Sequence, residues 1–240
     1  MTDTSNKPLV SVILPTYNRA RLVSRSINSV LNQTYNNYEL IIIDDGSTDN
    51  TKQIINSFND NRIVYLKHNH NKHASAARNT GIAKSKGELI AFLDDDDQWL
   101  PKKLEKQIAL IQKLPPKVGL IYCWMDYYNN EKLIHKHRPK LQGSVFPMVL
   151  DQQRIGGCPT LLIRKEILIN MGGFDITIRR GNDGDLIRRI CKKYDVDFVP
   201  EVLVKVNVGH GYSSIGSSSK ESIKNAIYGQ KVKFTKFKSE

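Results

Sequence analysis

An α/β fold with a mostly parallel central sheet flanked by helices is predicted from three features of the sequence. Short apolar runs alternate with helical patterns through the first half of the chain. The runs are Val10 to Leu14, Glu39 to Ile43, Ile63 to Leu66 and Glu88 to Leu93, each long enough for one buried strand. Three of them are followed by polar clusters: Pro15-Thr16-Tyr17-Asn18, Asp44-Asp45-Gly46-Ser47 and Asp94 to Asp97. Alternation of this kind implies a parallel sheet, in which ligands bind beyond the carboxyl ends of the strands. The three clusters therefore share one edge, which is the expected site.

The elements follow in order. Pro15 ends the first strand. Val23, Ile27, Val30 and Leu31 keep the i, i+4, i+7, i+8 spacing of an amphipathic helix. After the second strand, Ser47 or Thr48 is placed to cap a helix bearing Ile54, Ile55 and Phe58. Ala74 to Ser85 is a helical pattern closed by Gly87. Pro101 opens a helix carrying Leu104, Ile108 and Ile111. The second half is less regular. Val118 to Tyr122, Thr160 to Ile163 and Val199 to Val206 read as extended segments, and Met171 to Asp175 as a turn. Asp185 to Lys193 suggests a short helix with a basic outer face, and Gly209 to Ser219 a mobile glycine- and serine-rich loop. Ile223, Ile227, Phe234 and Phe237 form a broken apolar stripe in the tail.

A chain of 240 residues is long enough for one full domain. Its formal charge of +12 favours anionic partners. The excess collects in three runs: Lys132 to Lys140, Arg188 to Lys193, and Lys220 to Lys238. Taken alone, each reads as a solvated face. The polar start from Met1 to Lys7 predicts no signal peptide, and no run is long enough to span a bilayer. Cys123, Cys158 and Cys191 show neither zinc spacing nor an even disulfide set, so reduced thiols in a cytoplasmic protein are expected.

Asp94 to Asp97 are the most informative residues. Adjacent carboxylates repel, and the end of a buried strand is a costly place to collect them. A divalent cation would offset that cost. If the extended backbone continues past Leu93, Asp94 and Asp96 share one face and Asp95 points to the other. Two carboxylates on one face make a hard oxygen site suited to Mg2+ or Mn2+. The competing reading is a solvated acidic turn capping the next helix. A glycine-rich dinucleotide fingerprint, a P-loop, a zinc-protease helix and a serine-hydrolase elbow are all missing, and so is any nucleic-acid-binding signature.

Several ordered motifs resemble glycosyltransferase family 2, inverting enzymes of GT-A fold that use nucleotide-sugar donors. Val10 to Arg19 is similar to the family's opening strand and loop, and Ile41 to Asp49 to its second motif. Ala77-Arg78-Asn79-Thr80-Gly81 and Gly87 to Pro101 are similar to the segment leading into its metal motif. The resemblance is dense from about Leu9 to Gln107 and traceable to Ser214. It implies a GT-A type domain over 1–219, with a donor-binding half at about 9–115, an acceptor-binding half at 116–219, and a basic tail at 220–240.

The resemblance implies roles residue by residue. Pro15, Tyr17, Asp45, Arg78, Asp94 and Asp95 would bind the donor. Asp45 would accept a hydrogen bond from the base; uracil and guanine offer an N–H donor, and cytosine does not. Asp44 suits an Asx turn with Gly46 instead. Arg78 could pair with a phosphate. Asp96 would bind the metal, with His210 near it, and Asp183 would be the general base. Asp185 is the rival, although it also suits a helix N-terminus. The family commonly has glutamate where Asn182 stands, and often arginine near the place of Asn207. The implied partners are a UDP-sugar, a saccharide or lipid-linked saccharide acceptor, and an anionic membrane face touched by the tail. A nucleotide-sugar-binding protein without turnover is the alternative.

Overall fold

The computed structural model describes residues 7–151 and 155–209, together with Tyr228, Lys231 and residues 235–237. His210, Ser213 and Ser214, with the rest of the glycine- and serine-rich segment after Gly209, lie outside the described residues.

The expected alternation is present. Strands β1 (Val10–Thr16), β2 (Tyr38–Asp44), β3 (Ile63–Lys67) and β4 (Leu89–Phe92) are separated by α1 (Val23–Leu31), α2 (Thr51–Asn56) and α3 (His73–Lys84). The chain continues through β5 (Gln98–Trp99), α4 (Lys103–Ile111), β6 (Val118–Asn129), β7 (Lys132–His137) and α5 (Phe146–Asp151). A 3-10 turn at Cys158–Thr160, β8 (Leu162–Arg164), α6 (Lys165–Asn170), α7 (Asn182–Cys191) and β9 (Asp195–Asn207) complete it.

One sheet runs in the order β3-β2-β1-β4-β8-β6-β9-β5, with β7 added to β6. The pairs β2–β3, β1–β2, β1–β4 and β6–β9 are parallel; those of β8, β5 and β7 are antiparallel. Alternate residues of β1 supply opposite cores, as a strand covered on both faces requires. Val12 and Leu14 pack with Val23, Ile27 and Val30 of α1 and with Leu104, Ile108 and Ile111 of α4. Ile13 joins Phe92, Leu168, Leu186 and Ile190 on the other side.

Local details differ from the expectations. Neither Ser47 nor Thr48 caps α2. Asn18 takes a left-handed conformation (φ 52°), and its Oδ1 accepts the Thr48 N–H at 2.8 Å. Ser47 Oγ accepts the Asn18 N–H at 2.9 Å. These bonds lock two strand-end loops together. The basic face expected on α7 is not a solvated one at Arg188 and Arg189. Arg188 is buried and donates to Val149 O at 2.9 Å. Arg189 donates to Asp185 and to the turn carbonyls Met171 O and Gly173 O. The run from Lys132 to Lys136 is solvated, on an edge hairpin. Of the apolar tail stripe, Phe237 packs on Phe146, with ring centroids 6.0 Å apart.

Candidate functional site

The loops after β1, β2 and β4 converge with the start of α3 on one cleft of about 360 Å3. Pro15, Tyr17, Asp45, Arg78, Asp94, Asp95 and Asp96 all line it. A larger cavity of about 500 Å3 lies at the amino ends of β1 and β4, near Pro8 and Leu89, the edge opposite to where such sheets bind ligands.

Asp44 and Asp45 divide their work as expected of Asp44. Its Oδ1 accepts the Ser47 N–H at 2.7 Å and its Oδ2 the Tyr65 hydroxyl at 2.6 Å, a structural pairing. Asp45, 3% exposed, reaches the cleft.

Asp94 to Asp97 do not continue the strand. The Asp97 N–H donates to Asp94 O at 3.1 Å, closing a turn, so the face-by-face alternation does not apply. The turn instead brings Asp94, Asp95 and Asp96 to the same cleft. It is held from two sides. From α1, Arg25 donates to Asp96 O at 3.0 Å and Ser26 to Asp97 O at 2.8 Å. From β9, the Asn207 N–H donates to Asp97 Oδ1 at 3.1 Å and its amide to Asp96 O at 3.0 Å. Asn207 thus clasps the acidic turn.

The electrostatics of this turn favour a cation. Burial, and then the charge of Asp96, push the Asp95 carboxyl up to about 7. Burial, then Asp96 and Asp94, raise Asp97 well above the carboxylate range against the opposing Asn207 N–H. Arg19 Nε lies 3.4 Å from Asp95, and Arg78 Nη2 2.6 Å from Asp94. The donors of this turn are all hard oxygens, a chemistry that suits a divalent metal, although among the described residues no group of three or more His, Cys, Asp or Glu side chains is gathered to hold one.

Arg78 is buried in α3 and links the acidic turn to α7. Its Nη1 lies 3.4 Å from Asn182 Oδ1, and Asn182 Nδ2 donates to Ser75 Oγ at 3.0 Å. Burial opposes its charge, but Cys158, Asp94 and Asp183 outweigh that and raise it further. Asp183 is not among the residues lining the cleft. It sits in the first turn of α7, where the helix dipole favours an acid. Its Oδ2 faces Gly157, where an added Cβ would stand 3.3 Å away. Burial, then the charges of Asp97 and Asp183, also raise the Tyr127 hydroxyl. Asp185 is engaged by Arg189 at 2.8 Å and by Lys236 at 3.0 Å, a structural role.

Asn71 and His73 line the cleft without having been expected there. Their loop follows β3 and carries no acidic cluster, but the strand-end rule applies to β3 as well.

A family model described as Glycosyl transferase family 2 matches residues 11–172. The chain belongs to this family. It is 43% identical over 128 residues to the UDP-Glc:alpha-D-GlcNAc-diphosphoundecaprenol beta-1,3-glucosyltransferase WfgD of Escherichia coli, which covers 53% of this chain and 50% of that one. Among solved structures, S. aureus TarS 1-349 in complex with UDP-GlcNAc has a TM-score of 0.72 at 18% identity, covering 95% of this chain and 73% of that one. The mannosyltransferase PcManGT from Pyrobaculum calidifontis, in complex with GDP-Man and Mn2+, has a TM-score of 0.70 at 20% identity, covering 98% and 66%. These two show the same mixed α/β, GT-A type fold. The chain spans between half and two thirds of the length of several curated relatives, 66% of one from Rickettsia typhi among them.

Proposed function

We propose that this chain moves a sugar from a nucleotide-diphosphate donor, a UDP-sugar, to a hydroxyl of a lipid-linked or polysaccharide acceptor. The observation that carries this reading is the single cleft that collects Asp45 at one strand end and Asp94, Asp95 and Asp96 at another, with Arg78 between their elements. Membership of the family supports it, as does the donor named for WfgD.

Asp45 accepts the N–H of the base. Pro15 and Tyr17 form the wall beside it, and the half-exposed Tyr17 ring offers an apolar face to the nucleoside. A Mn2+ or Mg2+ held by Asp96, with Asp94 beside it, would neutralise the diphosphate and stabilise it as it leaves. Arg78 supplies fixed positive charge close to the same oxygens and orients Asp94. His210, the expected second metal-binding residue, lies outside the described residues. Asp183 takes the proton of the attacking acceptor hydroxyl. Attack opposite the departing diphosphate inverts the anomeric carbon, so a single base is enough.

The division into a donor half at about 9–115 and an acceptor half at 116–219 belongs to the same reading. The acceptor named for WfgD is a diphosphoundecaprenol, which supports a lipid-linked acceptor here. The +12 charge fits an anionic membrane surface carrying it. Among the described tail residues, Lys236 is paired with Asp175 and Asp185, which leaves contact with lipid to the other tail lysines.

The test is a donor panel with purified protein and manganese, comparing UDP-, GDP- and CDP-sugars. Turnover of a UDP-sugar supports the reading. Binding without hydrolysis or transfer leaves the alternative of a non-catalytic donor-binding protein.

A further inference from the structure

Asp45 is held from behind. Its side chain is 4% exposed, and the His68 side chain packed against it is 9% exposed. His68 Nδ1 lies 2.6 Å from Asp45 Oδ1, and its Nε2 lies 3.0 Å from Thr80 Oγ1. The Lys72 N–H donates to both Asp45 oxygens, at 2.9 Å to Oδ1 and 3.1 Å to Oδ2. The Thr80 hydroxyl, in α3, donates to Ala76 O at 3.1 Å. Asp45 lines the cleft, and His68 is not among the lining residues.

An ionised carboxylate only accepts, so the short contact to Asp45 puts a proton on His68 Nδ1. The Thr80 hydroxyl lies 3.0 Å from Nε2 and also reaches Ala76 O, so the second ring nitrogen has a partner as well. The ring is thus gripped at both nitrogens. Oδ1 of Asp45 carries two donors and Oδ2 one weaker one, so Oδ2 keeps its capacity for a ligand. Within this cluster, His68 is the side chain that holds Asp45.

We propose that His68, held by Thr80, is the positioning residue that fixes the Asp45 carboxylate through Oδ1 and leaves Oδ2 available to the cleft. The site thereby selects nucleoside diphosphates whose base presents an N–H donor. The inference rests on the nucleotide-sugar reading of the cleft and assigns a source for its base selectivity. Uracil N3–H meets the carboxylate as a charge-assisted hydrogen bond. Cytosine N3 is an acceptor and meets it with repulsion. Without the imidazole, Oδ1 loses its short contact and the carboxylate can turn away from the base, so the attraction to uracil N3–H and the repulsion of cytosine N3 both weaken. The loss is then selective for the base.

The experiment is calorimetric titration of UDP and of CDP, with manganese, into the wild type, His68→Phe, His68→Asn and Thr80→Val. The wild type prefers UDP. His68→Phe weakens UDP about tenfold and shrinks the UDP-over-CDP preference about as much. His68→Asn, whose amide N–H can stand in for Nδ1–H, restores the preference. Thr80→Val loses about threefold in the same direction and reads the same ratio should His68→Phe not fold. In turnover assays the donor KM rises while kcat holds. A folded His68→Phe, or Thr80→Val in its place, with wild-type preference overturns the inference, and so does a folded His68→Asn as unselective as the phenylalanine variant. Wild-type protein that binds no nucleoside diphosphate overturns the reading of the cleft itself, a result distinct from unchanged preference in the variants.

Discussion

Arg78 Nη2 lies 2.6 Å from Asp94 Oδ1, and this contact ties α3 to the acidic turn after β4. Arg78 is 5% exposed, so removing it leaves the charges of Asp94 and Asp183 without their shared cation. The pair is part-buried, with the Asp94 side chain 32% exposed, so breaking it costs about 1.5–3 kcal/mol. Arg78→Ala is therefore expected to lower the thermal unfolding midpoint by about 5 °C. Differential scanning calorimetry measures it, and a midpoint within a degree or two of wild type contradicts the role.

A second buried cation lies away from the cleft. Lys103 is fully buried, with its Nζ 2.7 Å from Gln107 Oε1 and 4.0 Å from the Trp99 ring centroid. Burial pulls its ammonium down from 10.5 to about 8. The unfolded chain then holds the proton more tightly than the folded one. Stability rises as pH climbs from about 8 to about 10.5, and below that window the cost of the buried charge is present in full. That cost is about 3 kcal/mol. Lys103→Met keeps the length and removes the charge. Urea unfolding at pH 7 and pH 10 should show the wild type gaining stability relative to the variant at the higher pH. Parallel pH profiles for the two proteins count against it.

The first half of this fold was legible because its strands are apolar runs of the right length and its helices keep a 3.6-residue period. Val12, Leu14, Ile27 and Ile108 fall where that pattern puts them. The site edge was legible for the same reason, since strand ends place Asp45 and Asp94 without any side-chain detail. β7 was not legible. Its two apolar residues, Leu133 and Ile134, are adjacent and do not alternate, its other four are lysine or histidine, and the Asn130-Glu131 turn uses positive φ (46° and 63°) without glycine. α5 and α6 are six residues each, too short for a period to show. Arg188 and Arg189 read as surface because charge alone does not reveal which carbonyls lie nearby. At Asp94 to Asp97 the sequence left strand continuation and an acidic turn both open, because the single backbone bond to Asp94 O that closes the turn is invisible in composition.

The acidic turn predicts how metal removal behaves. Asp96 shares the cleft with Asp94 and Asp95, while Arg19 and Arg78 only partly offset their charge. Chelation should weaken UDP binding to the wild type by tenfold or more, the share of phosphate charge a divalent ion neutralises. Asp96→Ala should bind UDP about as weakly as the chelated wild type, and a chelator should change it little further. Titration of UDP with and without EDTA gives all four corners of this cycle. Independent, additive losses would place the metal on other residues.

Asp183 and Asp185 lie two residues apart in the first turn of α7 and separate cleanly by their partners. Asp185 is spent on Arg189 and Lys236, so Asp185→Asn should lower stability and alter turnover little. Asp183 instead faces the bare Cα of Gly157 and acts on Arg78 and Tyr127 at the rim of the acidic turn. Asp183→Asn keeps the shape and removes the proposed proton acceptor, so kcat should fall about 100- to 10,000-fold. UDP affinity should stay within about threefold, because the base is needed only when the acceptor hydroxyl attacks. Turnover near wild type in Asp183→Asn, together with a deep loss in Asp185→Asn, would move the base to Asp185 and shift the acceptor by half a helical turn.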